Sequence, residues 1–124
     1  MFAEPQRCES TAIHLAMAAL SPPARDADHA PYALSAPGNL EAAMTAAGLE
    51  LSGAGEVPLS WHYATVADAV RGLLSSAGAT RAVEDVGEQA VRATVEGALA
   101  PFAAVDGSVT MRNVFRWVAA RRLR

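Results

Sequence analysis

Two short stretches hold the residues best suited to chemistry. Trp61, His62 and Tyr63 are consecutive, and Arg112 and Asn113 sit together far along the chain. Small-molecule pockets combine aromatic walls with a few polar groups, so a Trp-His-Tyr run at a strand end suits a ligand cavity. Packing into a core is the favoured expectation for the same aromatic residues. His62 could act as a general base. Arg112 and Arg116 fall on one side of an extended stretch. Facing a cavity they could hold an anion, and beside carboxylates they would be structural; the structural role is expected. His14 and His29 lack a second histidine or carboxylate at ligand spacing, so no metal site is expected. Cys8 is the single cysteine, which rules out an internal disulfide and leaves an idle thiol. No Ser-His-Asp or Cys-His arrangement is legible.

The elements that must position these residues are two strands and a set of helices. Val109 to Arg121 reads as a strand whose centre is apolar on both sides. Phe115, Trp117 and Ala119 alternate with Val114, Val118 and Ala120. Such a strand belongs inside a sheet covered on both faces. The second strand spans Leu49 to Tyr63, with Leu49, Leu51, Val57, Leu59, Trp61 and Tyr63 on one face. The Gly53-Ala54-Gly55 break in that alternation predicts a bulge or bend that splits it. Gly53-Ala54-Gly55 also looks like a fragment of a phosphate loop, but it lacks the third glycine and the following helix.

Helical spacing appears four times. From Glu9 to Leu20, residues Ile13, Ala16, Met17 and Leu20 share a face, and Pro22-Pro23 ends the run. Residues 1–8 read as a tail or loop and Ala24 to Pro31 as a loop. Ser35 to Gly38 opens a second helix carrying Leu40, Ala43, Met44 and Ala47, and Gly48 stops it. Thr65 to Asp68 is a capping-box-like start for Val66, Val70, Leu73, Leu74 and Ala77, with Gly78 as the stop. Thr80 then caps a long stripe running from Val83 to Phe102, ended by Pro101. Asp106-Gly107 is a turn before the final strand.

The chain has 124 residues, enough for one domain over 1–124. Hydrophobic residues make up 52%, which excludes a disordered chain, although much of that fraction is alanine and buries little area. The net charge is −3 without a basic block beyond Arg121, Arg122 and Arg124, so nucleic acid is not an expected partner. All ten basic residues are arginine, which with the alanine reads as a GC-rich bacterial coding bias. No apolar run reaches membrane-spanning length. Thr11 to Leu20 could serve as a signal-peptide core, but Glu4 and Glu9 stand where positive charge belongs, so a cytoplasmic location is expected. These readings make an α+β fold of about four helices on a small antiparallel sheet. A two-stranded sheet is marginal alone. Four helices cover one face, and the other face and an edge call for a second chain or a further part of the same one.

Several stretches then carry a family resemblance. Glu4 to Cys8 (EPQRC) resembles the segment after the fifth strand of a class I S-adenosylmethionine-dependent methyltransferase. Tyr32 to Leu40 (YALSAPGNL) is similar to that family's F-x-L-S-x-P-G-x-L entry to the next helix. Ala46 to Glu50 (AAGLE) is similar to its A-A-G-F junction, and Asn113 to Arg121 (NVFRWVAAR) to its last strand. The bacterial small-molecule type, related to ubiquinone and menaquinone biosynthesis methyltransferases, is the group the chain resembles, over nearly its whole length and as that fold's C-terminal part.

The resemblance implies S-adenosylmethionine as the parent family's cofactor. The cofactor sits there on a glycine-rich strand-to-helix turn followed by an acidic residue for the ribose. These 124 residues contain neither, so no cofactor is expected to bind this chain alone. The family's last strand lies between two others in a seven-stranded sheet, and the helix pair of residues 65–100 corresponds to its substrate lid. The expectation is a Rossmann-like methyltransferase fold in incomplete form, not catalytic by itself, completed by a homodimer partner or by a methyltransferase N-terminal half. The alternatives are a small-molecule-binding dimeric protein and a subunit of a split methyltransferase. Trp61, His62, Tyr63, Arg112 and Asn113 are the substrate-side candidates.

Overall fold

The computed structural model describes residues 2–3, 5–22 and 32–122; the loop expected from Ala24 to Pro31 lies outside the described residues. The described elements are α+β: β1 (Phe2–Ala3), α1 (Ser10–Ala18), α2 (Asn39–Ala46), β2 (Leu49–Tyr63), α3 (Val66–Leu74), α4 (Ala77–Val86), α5 (Glu88–Leu99) and β3 (Val109–Arg122). Two compact units form. One contains residues 2–3, 5–8, 32–59 and 113–122, and the other residues 9–22 and 60–112. Both long strands contribute residues to each.

The helical unit has the larger core. Ile13 and Met17 of α1, Val70 of α3, Val91, Val95 and Leu99 of α5, and Val109 and Met111 of β3 are its fully buried large side chains. Each is worth about 1.5–3 kcal/mol on burial. Helix α5 packs against α1, α3 and α4. Its stripe of Val91, Val95 and Leu99 lies at the i, i+4, i+8 spacing that keeps one face inward. Trp61 and Tyr63 of β2 pack against this core from the same side as Val109 and Met111. The opposite sides of the two strands, bearing Ser60, His62, Thr110 and Arg112, are exposed.

Local chemistry accounts for the helix boundaries. Thr65 Oγ1 accepts the Asp68 amide, and the same hydroxyl donates to the Asp68 carboxylate, so α3 starts as the capping pattern predicts. Helix α3 stops at Leu74 rather than at Gly78. The Ser75 hydroxyl donates to the Arg71 carbonyl, and Ser76 Oγ accepts the Ala79 amide to cap α4. Gly78 therefore lies inside α4, and Thr80 is not the cap but donates to the Ser76 carbonyl. The long stripe after Val83 is also two helices, not one, so the described residues form five α-helices rather than four. Gly87, at φ 87° and ψ 152°, breaks it in a backbone region essentially reserved for glycine. The expected end at Pro101 holds, since α5 runs to Leu99 and a 3₁₀ turn over Ala100–Phe102 follows.

In the other unit β3 is the central strand, in the order β1-β3-β2. Antiparallel pairing sets Phe2 opposite Arg116 and Ala3 opposite Phe115. The expected N-terminal tail is thus a two-residue edge strand followed by a 3₁₀ turn over Pro5–Arg7. The Cys8 thiol donates to the Val114 carbonyl at 3.2 Å. On the other side of β3, β2 runs unbroken from Leu49 to Tyr63, so the glycines do not split it. They make room for Trp117. A Cβ on Gly55 would lie 2.9–3.0 Å from the indole, and one on Gly53 would lie 3.6 Å away.

Helix α2 starts at Asn39 after Gly38, later than the Ser35 cap predicts; Ala33–Ser35 form a 3₁₀ turn. Gly48 stops the helix at φ 75°, as the sequence implies. Arg116 of β3 pairs with Glu41 of α2, and both are largely sheltered. Arg7 pairs with Glu56 at 2.6 Å and Arg121 with Glu50 at 2.8 Å, both exposed and worth at most about 1 kcal/mol each. The sheet of this unit keeps an uncovered apolar side. Leu51 is 41% exposed, Leu59 49% and Trp117 39%, and Phe115 is only half-buried, as are Val114 and Val118 on the opposite side.

Candidate functional site

The five candidates from the sequence do not converge. Side-chain alternation turns Trp61 and Tyr63 toward the helical core and His62 away from it. The Trp61 ring meets His14 edge-on, with centroids 6.1 Å apart and planes at 87°. Tyr63 lies along Gly72 of α3, where a Cβ would come within 3.1 Å of its ring. Both pack against the helical core. His62 is exposed, and its Nδ1 shares a 2.9 Å hydrogen bond with Thr110 Oγ1. Arg112 has an exposed side chain. Its backbone is clamped by Glu9, whose amide donates to the Arg112 carbonyl and whose carboxylate accepts the Arg112 amide. Asn113 is 2% exposed.

A cleft of about 380 Å³ lies elsewhere, among α3, α4 and α5. Arg71 and Leu74 come from the last turn of α3, with Ser75 just after it. Thr80 and Val83 project from α4, and Glu88 and Arg92 from the first turns of α5. The short connections build it. Ser75-Ser76 and Gly87 reverse the chain twice within few residues, so the end of α3 and the start of α5 flank α4. Arg71 reaches back to Asp68 at 2.6 Å and Arg92 to Glu88 at 2.9 Å. At i,i+3 and i,i+4 these pairs read in a sequence as ordinary surface helix pairs, which is why the cleft escapes a reading for catalytic residue types. The clue available was two arginines bracketing two helix breaks.

Among the described residues, three ionisable groups depart from their ordinary behaviour. Burial against its neighbours lowers the pKa of His14. The Arg7 hydrogen bond holds the Glu56 carboxyl below its usual range. Hydrogen bonds from the Ser108 hydroxyl and amide do the same for Asp106, in the turn where Gly107 adopts φ 86°. None of the three lies in the cleft. Among the described residues no three His, Cys, Asp or Glu side chains converge as a metal site would require, and no helix is long and apolar enough to cross a membrane.

The glycine pair at Gly53 and Gly55 lies within a strand rather than at a strand-to-helix turn, and the Trp117 indole packs over it, so this pair is not a glycine-rich cofactor turn. No protein-family model, no curated protein and no solved structure matches the chain.

Proposed function

We propose that these residues are the substrate-side part of a methyltransferase-related fold. They are not catalytic alone and work beside a cofactor-binding half. One observation carries the reading: β3, apolar at its centre on both sides, lies between β1 and β2 and runs antiparallel to β1. The resemblance implies that position for the family's last strand. Phe2–Ala3 precedes the EPQRC segment, so β1 stands where the end of the fifth strand would be. The uncovered apolar side around Leu51, Leu59 and Trp117 agrees with a sheet that continues beyond this unit.

The test has two arms. Titration calorimetry of the isolated chain with S-adenosylmethionine is expected to give no heat of binding, and micromolar binding would overturn the reading. The tagged chain, purified from its source cell, is expected to bring down a partner and with it the ability to bind methyl-labelled S-adenosylmethionine. An eluate that binds none would count equally against it.

A second reading is a homodimer that binds a small molecule. The exposed Leu51, Leu59 and Trp117 favour association through this apolar side. Sedimentation of the purified chain decides: a monomer at high micromolar concentration removes it.

A further inference from the structure

The cleft among α3, α4 and α5 has a chemistry of its own, independent of the methyltransferase reading. Its lining carries Arg71, Arg92 and Glu88, and Asp68 pairs with Arg71, so the charges balance and the free guanidinium N–H donors, rather than net charge, would hold an anion. Each guanidinium is tethered through a single Nη2 contact to a carboxylate one turn away, Arg71 to Asp68 and Arg92 to Glu88. A guanidinium has five N–H donors, so most of each fork stays available. Both pairs are exposed, Arg71 at 78% of its side chain, so they constrain the forks only weakly. Leu74 and Val83 add apolar surface to the same lining.

The hydroxyls decide how many anionic groups fit. Ser75 already donates to the Arg71 carbonyl, and Thr80 to the Ser76 carbonyl. Both therefore offer only lone pairs to a ligand. A second carboxylate would meet those lone pairs and Glu88, whereas a hydrocarbon body would rest on Leu74 and Val83. We propose that this cleft binds an amphipathic monocarboxylate, its single carboxylate between Arg71 and Arg92 and its apolar body against Leu74 and Val83. The volume falls within the range of roughly 300–1,000 Å³ usual for small-molecule sites. The open, solvated setting implies weak binding that weakens further with salt.

The experiment is a titration of octanoate, below its micellar concentration, into the isotope-labelled full chain, followed by amide resonances. Shifts are expected at Arg71, Leu74, Ser75, Thr80, Val83, Glu88 and Arg92. Octylammonium and octanedioate should bind at least about tenfold more weakly, the ratio a lost charge-assisted contact implies. Arg71→Ala and Arg92→Ala should each weaken octanoate by about tenfold and together abolish the shifts, with the rest of the spectrum unchanged. The proposal is overturned if octanoate moves no cleft resonance, if octylammonium or octanedioate binds as well, or if the double variant binds like the parent chain.

Discussion

The Trp117 indole rests on Gly55, so close that the smallest added side chain would stand 2.9 Å from its ring. Gly53, one step along the same face, leaves 3.6 Å. Gly55→Ala is therefore expected to destabilise the protein by about 1–3 kcal/mol through overpacking. Gly53→Ala should be neutral or slightly stabilising, because glycine in a strand costs roughly 0.5–1 kcal/mol. Urea unfolding of the two variants, with the shift in tryptophan emission for Gly55→Ala, checks the difference. Equal effects would remove the close approach from the account.

Gly87 separates α4 from α5 in a conformation that other residues reach only at a cost of about 1–3 kcal/mol. Gly87→Ala should lose stability in that range, measured by chemical denaturation. Gly97, in α5 with open space where a Cβ would go, should gain up to about 1 kcal/mol on mutation to alanine.

His14 carries the clearest pH dependence. Its pKa is lowered in the folded chain from an ordinary value of 6.5, so the unfolded chain takes up the proton first as pH falls. Stability from this group is complete above about pH 6.5 and is lost as pH drops through the lowered folded value. Unfolding free energies measured from neutral pH down to pH 5 should fall less steeply for His14→Gln than for the parent.

Glu41 and Arg116 form a sheltered pair in which Glu41 Oε2 is buried with no hydrogen-bond partner. Arg116→Ala would leave that carboxylate uncompensated and is expected to cost about 1–3 kcal/mol. The Glu41→Ala/Arg116→Ala double variant should be more stable than Arg116→Ala alone, since it removes the stranded charge. A double-mutant cycle by denaturation reads the ordering directly.

Leu99 is fully buried in the helical core beside Met111. Leu99→Ala should cost about 2–5 kcal/mol by creating a cavity, a loss readable as a lowered midpoint in thermal unfolding.

Much of this architecture was legible along the chain. The Leu49–Tyr63 strand, the Thr65 cap, the Gly48 stop and the Asp106-Gly107 turn are local signals, and each acts locally in the structure. Errors arose where a distant residue decided. The glycines of β2 look like a break until Trp117 is known to lie across from them. The stripe through Val83, Val86, Val91 and Val95 continues in phase past Gly87, so periodicity alone joins α4 to α5. The candidate site was legible only as residue types. Alternation was enough to part His62 from Trp61 and Tyr63, but nothing in it indicates that helices would claim the two aromatics.

Strand β2 ends the sheet order, and Pro58 stands within it. A proline has no amide hydrogen to offer. A further ribbon laid along that rim would meet a missing rung. The rim thereby resists runaway stacking into fibrils, leaving the long strand open to water without making it a seed for aggregation.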